Sequence, residues 1–228
     1  MANSRRSPPP PNTASVDARI ARREQRRQRS REEILAAARS VLLRHGIAAT
    51  TLELVAREMG VTKTALYHYF ASKDALLFEL VFGSMQSHAQ AVHDAVERSG
   101  NGADALAAII RETVAAYAPR LDDFRLAFLH GQVAGPGTVQ IDEQQIARVR
   151  PLNDLTFAGA ARKLAAERRK RPSRARVDPR LMAFLAYLSA IGMLTFKGMV
   201  ESIDDPLKYS DEQIVEGFAR VFAAAAEP

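Results

Sequence analysis

Four side chains able to bind an anionic polymer lie together in one short predicted helix. Lys63, Thr64, Tyr67 and His68 fall on its outer face, and Leu66 falls on its inner face. Ammonium and hydroxyl groups donate hydrogen bonds to phosphate oxygens and to base edges. The stretch therefore predicts a surface for nucleic acid.

Local signals before and within this stretch predict two short helices joined by a glycine turn. Thr50 and Glu53 have the spacing of a capping box that opens the first of them. Gly60 ends it, because glycine adopts the left-handed turn conformation without strain, and Thr62 is the expected N-cap of the second. A preceding helix that ends at Gly46 would pack across both, which is the arrangement of a helix-turn-helix.

The same region resembles the N-terminal domain of TetR-type transcriptional regulators. The resemblance covers about 47 residues, from Arg31 to Leu77, and is interrupted mildly at Ala65 and Ala71. The matching positions are Arg31, Ile34, Leu35, Ala37, Ala38, Gly46, Thr50, Thr51, Val55, Ala56, Gly60, Val61, Thr62, Leu66, Tyr67, Tyr69, Phe70, Ser72, Lys73, Asp74, Leu76 and Leu77.

This resemblance implies an operator-binding surface with assigned roles. Lys63 and Thr64 would reach base edges in the major groove, and Ala65 would contact a thymine methyl group. His68 is expected to be exposed and without a role in specificity. The full expected DNA-binding set is Thr50, Thr51, Thr62, Lys63, Thr64, Ala65, Tyr67, Tyr69 and Lys73, with Tyr67, Tyr69 and Lys73 at phosphate-holding positions.

Positive charge is concentrated outside this predicted DNA-binding domain. The 228-residue chain has a net charge of +6, yet residues 32–77 hold equal numbers of basic and acidic side chains. Residues 1–31 hold nine arginines against Asp17 and Glu24. We expect residues 1–30 to be a disordered basic arm. Two interpretations remain open: the arm is a solvated tail outside the fold, or it becomes helical from about Asp17 when docked on an acidic partner and strengthens DNA binding through phosphate contacts.

A second basic cluster, residues 162–176, admits three interpretations. It holds eight basic residues against Glu167. A solvated linker, an extra contact with DNA or an acidic partner, and attraction of an anionic ligand all remain open.

The remaining sequence predicts further helices and no strands, so the fold class is all-α. The three domains expected are the arm (1–30), the helix-turn-helix domain (31–77) and a larger ligand-binding and dimerisation domain (78–228). Leu181 to Phe196 carries no charge, and a helix apolar on all sides must be buried, most economically against a second subunit. The resemblance likewise implies a homodimer, with interface candidates Leu181, Leu185, Leu188, Gly192, Ile214, Phe218, Val221 and Phe222.

Aromatic and methionine side chains with a few polar groups predict a cavity for a small apolar or aromatic molecule. The candidates are Phe82, Met85, His88, Tyr117, Phe124, Phe128, His130, Phe157, Tyr187 and Met193. The leading hypothesis is a repressor released from its operator by such an effector. The alternative keeps the fold but makes it a DNA-bound recruitment module controlled by a protein partner.

Several other functions are disfavoured by the sequence. There is no phosphate-binding glycine loop, nucleophile elbow or metal-ligand motif, so we expect no enzyme activity, cofactor or metal. The sequence has no cysteine, which excludes disulfides. It begins without the apolar stretch of a secretory signal and has no span of about 20 apolar residues, so we expect a cytoplasmic protein that does not enter a membrane.

Overall fold

The computed structural model describes residues 13–125, 128, 142–170, 177–200 and 209–226. Within these residues the regular elements are helices and no strand occurs, so the all-α prediction is confirmed. The helices are α1 (Thr13–Ala49), α2 (Leu52–Met59), α3 (Lys63–Tyr67), α4 (Lys73–Arg98), α5 (Gly102–Tyr117), α6 (Leu121–Phe124), α7 (Glu143–Lys170), α8 (Pro179–Val200) and α9 (Asp211–Ala226), with a 3-10 turn over Ala118–Arg120. The chain divides into two compact units, Met1–Leu76 and Leu77–Pro228.

The first helix begins much earlier than the sequence indicated. Residues 13–30 were expected to be disordered in the free protein, but they continue α1 without a break up to a kink at Gly46. Arginine, glutamine, glutamate and alanine are good helix formers, and an extension of an existing helix needs no new nucleus. The side chains of residues 17–28 are exposed, so this part of α1 is held by its own backbone rather than by a core.

The first unit has a small apolar core built from α1, α2, α3 and the start of α4. Every third or fourth residue of α1 from Ile34 is buried, and Leu66 of α3 is almost fully buried beside them. The buried apolar residues of this unit are Ile34, Ala38, Val41, Leu42, Leu52, Val55, Ala56, Leu66, Phe70 and Leu76. Val61, which precedes α3, is exposed.

The second unit is organised around α5. This helix packs against α7, α8 and α9, and Leu106, Ile109 and Ile110 are wholly buried at its centre. Asn101 caps its N-terminus by accepting a hydrogen bond from the backbone N–H of Asp104 at 2.7 Å. A central helix covered by three others is the usual core of a helical bundle.

Helix α8 has one buried face and one exposed apolar face. Met182, Ala183, Ala186 and Ala190 are buried against the unit's core. The opposite face exposes Leu181, Phe184, Leu185, Leu188 and Phe196, whose spacing places them along one stripe.

The predicted interface residues of α9 divide between core and surface. Val221 is 64% exposed, whereas Ile214, Phe218 and Phe222 are half-buried against the core of the second unit. Gly192 of α8 has open space where a Cβ atom would lie. The exposed stripe of α8 and Val221 together leave an apolar surface without a described partner.

By length and composition, Pro179–Lys197 is apolar enough to cross a membrane. One third of this segment is buried inside the protein. A core helix meets the same criteria, and the packing of α8 against α5 and α7 is that of a core helix.

The second basic cluster is partly an ordinary piece of helix. Its residues 162–170 belong to α7, and Arg162 forms an ion pair with Glu97 at 2.7 Å. Lys163 Nζ donates to the backbone oxygens of Glu97 at 3.3 Å and Ser99 at 2.6 Å, at the C-terminus of α4. A cation there is favoured by the helix dipole, so these two residues have a structural role. Residues 171–176 lie outside the described residues.

Candidate DNA interface and ligand core

The turn that positions the helix-turn-helix is held by Lys73 and Thr50. Gly46 has φ 75°, the left-handed conformation that ends the straight part of α1. Lys73 Nζ donates to the backbone oxygens of Ile47 at 2.6 Å and Ala48 at 3.3 Å. Thr50 is wholly buried, and its hydroxyl donates to Gly46 O at 2.8 Å. The start of α4 and the end of α1 are thereby joined around the loop that leads into α2.

A second set of contacts fixes the chain after α3. The Arg31 guanidinium donates to Tyr69 O at 3.2 Å and lies 4.7 Å from the centre of the Phe70 ring. Arg44 of α1 also forms an ion pair with Glu58 of α2 at 2.5 Å. Helix α1 therefore contacts the helix-turn-helix at the C-terminal end of α2 and again just after α3.

Threonine caps define the two short helices. The Thr51 hydroxyl accepts from Leu54 N at 3.1 Å and caps α2, and the Thr62 hydroxyl accepts from Ala65 N at 3.3 Å and caps α3. Between them Gly60 has φ 66°, as predicted for the turn residue. Thr51, rather than the expected Thr50, is the N-cap residue.

The outer face of α3 is exposed and carries an internal ion pair. Lys63, Thr64 and Tyr67 are all exposed, whereas Leu66 is 1% exposed. The Lys63 ammonium pairs with Glu53 of α2 and lies 5.4 Å from the centre of the Tyr67 ring. Both charged side chains remain about half exposed, so the pair contributes little to stability and is readily exchanged for another anion.

A groove of about 840 Å³ separates the N-terminal part of α1 from α3. Three of its lining residues are arginines, and two others, Ala65 and Tyr69, belong to the predicted DNA-binding set. The lining residues are Ile20, Arg23, Glu24, Arg26, Arg27, Ser30, Ala65, His68 and Tyr69. The sequence did not predict this groove because residues 1–30 were expected to be disordered in the free protein. His68, expected to have no role in specificity, lies in its wall.

In the second unit a group of rings surrounds His88. The His88 ring centre lies 5.2 Å from that of Tyr117 and 5.9 Å from that of Tyr187. Tyr117 continues the cluster to Phe124 and Phe128, at 6.0 and 5.5 Å. Helices α4, α5, α6 and α8 thus converge on one aromatic core.

Phe157 of α7 extends this core to the surface. Its ring lies 5.5 Å from Tyr187 and 5.8 Å from Phe184, both edge to face. A groove of about 390 Å³ opens there. It is lined by Asn153, Phe157, Asp178, Arg180, Leu181, Phe184 and Tyr187.

His88 is the polar centre of the aromatic core. It is 6% exposed, and its Nε2 lies 2.9 Å from Thr113 Oγ1. Burial lowers the pKa of His88 to about 4, because the charged imidazolium is poorly solvated there. Burial likewise raises the pKa of Tyr187. Both side chains are therefore neutral at pH 7.

The comparisons with known proteins agree with the geometry of both units. Residues 34–80 match the family described as "Bacterial regulatory proteins, tetR family". The helix-turn-helix segment of this chain is of the TetR type. A comparison with curated protein sequences gives no match.

Solved structures of TetR-type regulators share the fold. A TetR/AcrR-family regulator from Thermobifida fusca YX-ER1 is 20% identical, with a TM-score of 0.61 over 87% of this chain and 99% of that one. FadR from Bacillus subtilis, in complex with stearoyl-CoA, is 15% identical, with a TM-score of 0.59 over 86% and 96%. AibR, in complex with isovaleryl coenzyme A and operator DNA, is 21% identical, with a TM-score of 0.57 over 84% and 96%.

The second unit brings together six of the ten predicted ligand residues. His88, Tyr117, Phe124, Phe128, Phe157 and Tyr187 form the aromatic core. Met85 is half-buried on α4, Met193 is buried in the core of the unit, and His130 lies outside the described residues.

Phe82 belongs to a different cluster. It stacks on Phe78 at 5.6 Å, and the Arg148 guanidinium lies 4.1 Å from its ring centre. Arg148 also pairs with Glu79, which raises the arginine's pKa through that hydrogen bond. Phe82 therefore joins α4 to α7 rather than lining the aromatic core.

Among the predicted DNA contacts of this TetR-type domain, Thr50 needs correction. Its hydroxyl is buried and bonded to Gly46, so it is not available to a phosphate. Lys73 is turned toward the backbone of the α1–α2 loop. Thr51, Thr62, Lys63, Thr64 and Tyr67 are exposed, and Ala65 and Tyr69 are partly so. Among the described residues, no group of three or more His, Asp or Glu side chains is placed to hold a metal ion.

Neutral burial of His88 predicts a specific pH dependence of stability. Its pKa is about 4 in the folded protein and near 6.5 in the unfolded chain, so between these values the unfolded chain binds more protons. The contribution of neutral His88 to the free energy of unfolding is therefore fully present above about pH 6.5, and it is lost as the pH decreases toward 4. We expect the wild type to lose about 2 kcal/mol more unfolding free energy than His88→Gln between pH 7 and pH 5.

Urea denaturation of both proteins at the two pH values measures this difference. The comparison cancels the titration of the carboxylates common to both. Equal losses in the two proteins would show that His88 is not buried in its neutral form.

Proposed function

We propose that this protein is a homodimeric, cytoplasmic transcriptional repressor that a small apolar or aromatic effector releases from its operator. The proposal of DNA binding rests on the match of residues 34–80 to the tetR family. It is supported by the exposed face of α3, which lies in a helix-turn-helix with capped helices. The aromatic core around His88 supports the effector. The function proposed is regulation by binding, not catalysis.

Helix α3 is the proposed recognition helix. Lys63 and Thr64 stand at its start, where side chains reach base edges in the major groove. A lysine bonded to guanine O6 and N7 discriminates bases by roughly 1–3 kcal/mol. On specific binding, Lys63 would leave Glu53 and bind to DNA instead. Tyr67 and Tyr69 are the proposed phosphate contacts.

The N-terminal part of α1 is the proposed source of additional phosphate contacts. Arg23, Arg26 and Arg27 face α3 across the 840 Å³ groove, so α1 and α3 present cations and hydrogen-bond donors to one space. Residues 32–77 have no net charge of their own. The attraction that holds the domain on DNA would then come largely from these arginines.

The exposed apolar faces of α8 and α9 support a homodimer. Leu181, Leu185 and Leu188 are 39–47% exposed on one stripe, and Val221 is 64% exposed. Apolar stripes of this kind are characteristic of subunit interfaces. A dimer would place its two recognition helices in successive major grooves, roughly 34–36 Å apart.

The effector would act by selecting a conformation in which this spacing differs. FadR and AibR, similar structures solved in complex with acyl-CoA compounds, support a small-molecule effector. The groove that leads from the surface to Phe157 and Tyr187 favours a small molecule over a protein partner as the regulator.

Lys63→Ala should alter sequence preference. Once the operator has been obtained by selection from random DNA, we expect the variant to lose roughly 1–3 kcal/mol of discrimination at one base pair of each half-site. Glu53→Gln is the control, because it releases Lys63 without removing it. Binding of operator variants in gel-shift titrations is the measurement, and unchanged discrimination by Lys63→Ala would contradict base reading.

Replacing Arg23, Arg26 and Arg27 by glutamine should weaken binding to all sequences alike. The slope of log K against log salt should flatten by about 0.9 for each phosphate that the variant no longer neutralises, up to roughly three phosphates per subunit. The matched control replaces Arg19, Arg22 and Arg29, which lie on the same helix but do not line the groove. Equal slopes for the two triple variants would argue against the groove as a DNA site.

Leu188→Glu should disrupt the dimer. A carboxylate buried in an apolar interface costs several kcal/mol, so the dimer dissociation constant should rise by about 100-fold or more. The control is Leu43→Glu, at a leucine of α1 that is also about half exposed. Sedimentation equilibrium distinguishes the two, and a Leu188→Glu protein that remains as dimeric as the control would exclude this face.

A further inference from the structure

Glu53 does not have the capping role that its spacing from Thr50 indicated. Thr51 is the N-cap of α2, so the third residue of the helix is Leu54, and Glu53 stands one position too early for a capping box. Its carboxylate instead pairs with the Lys63 ammonium of α3, and its side chain remains 48% exposed. The partner of Glu53 is thus the residue proposed to read DNA.

The carboxylate of Glu53 lies on the same exposed surface as the recognition helix. Lys63 Nζ contacts this carboxylate and lies 5.4 Å from the centre of the Tyr67 ring, so the three side chains form one continuous surface from α2 to α3. Successive nucleotides of one DNA strand are about 3.4 Å apart along the helix axis. Because the two charged ends touch in the free protein, they can reach neighbouring base pairs once Lys63 turns to DNA.

A carboxylate at the DNA surface needs a hydrogen-bond donor. When Lys63 turns to guanine, Glu53 loses its cation close to negatively charged phosphates, and an ionised group without a partner is unfavourable. The donors on base edges in the major groove are the amino groups of cytosine and adenine. Adenine carries its amino group beside the acceptor N7, which repels a carboxylate, whereas cytosine itself presents only the donor N4. Cytosine is therefore the base that the carboxylate favours.

We propose that Glu53 is a second base-reading residue, which accepts a hydrogen bond from cytosine N4 in the base pair next to the one that Lys63 contacts. This inference rests on the proposed operator binding by α3, and it adds the identity of one further base pair in each half-site. A site that offers both guanine and cytosine compensates both charged side chains for the loss of their ion pair. The first helix of the helix-turn-helix thereby takes part in specificity.

Glu53→Gln tests the assignment by changing the preferred base. With an operator obtained by selection from random DNA, gel-shift titrations compare the affinity of the full-length protein for all four bases at every position. The wild type should prefer cytosine about 10-fold at the position that Glu53 reads, the size of a hydrogen bond to a charged group. Glu53→Gln should shift this preference toward adenine, because glutamine bonds to adenine N6 and N7. Glu53→Ala should remove it, and both variants should keep the preference at the Lys63 position.

The matched control is Glu58→Gln. It also removes one negative charge from α2 and breaks an ion pair, since Glu58 pairs with Arg44 of α1 at 2.5 Å. The control should keep the base preference of the wild type at every position. If Glu53→Gln and Glu58→Gln both raise the affinity for all operator variants alike, Glu53 acts only through its charge and the inference is wrong.

N4-methylcytosine at the preferred position tests the donor itself. In the paired base, its methyl group takes the place of the N4 hydrogen that faces the major groove. The affinity of the wild type should fall about 10-fold, because the carboxylate loses its donor. The affinity of Glu53→Ala should not change. An equal loss in both proteins would show that the methyl group only crowds the groove, and it would overturn the assignment.

Failure of the proposed function would give a different result. If selection from random DNA enriches no sequence, sequence-specific binding by α3 fails, and the inference fails with it. If an operator is obtained and the base preferences of Glu53→Gln and Glu53→Ala equal those of the wild type, the inference alone is wrong and the proposed regulator stands.

Discussion

The helix-turn-helix depends on the attachment of the Lys73 ammonium to the backbone oxygens of Ile47 and Ala48. These oxygens lie at the carboxyl end of α1, where carbonyl groups have no helical partner and the helix dipole favours a cation. The contact joins the first residue of α4 to the loop that sets the direction of α2. Arg31 of α1 also binds the backbone of Tyr69, just after α3. Together the two contacts make α1 and the start of α4 a frame that supports the exposed α3.

Much of this frame could be predicted because glycine and threonine act locally. Gly46, Gly60 and Thr62 each determine a conformation within one turn of the chain, and their positions alone predict where the short helices begin and end. The choice between Thr50 and Thr51 could not be made in that way. Either hydroxyl can cap a helix, and only the path of the backbone after Gly46 buries the first and exposes the second.

Two other features could not be predicted from the sequence, for different reasons. The start of α1 at Thr13 was missed because a stretch with few large apolar residues has the composition of a disordered chain, although its helix propensity is high. The place of Phe82 was missed because it shares α4 with His88. Six residues advance a helix by about 9 Å and turn it by about 240°, so the two rings meet different neighbours. Composition identified aromatic candidates, and only tertiary packing could divide them into two groups.

With α3 as the proposed recognition helix, the ion pair between Lys63 and Glu53 would also affect how the protein finds its site. A repressor must sample about a million or more wrong sequences in a genome, and the time spent on each one adds to the search. The carboxylate of Glu53 competes with every phosphate and base for the lysine, so each contact with DNA gains less from this charge. Wrong sites are then released sooner. The acidic side chain beside the recognition helix would thus shorten the search for the operator, although it weakens each encounter with DNA.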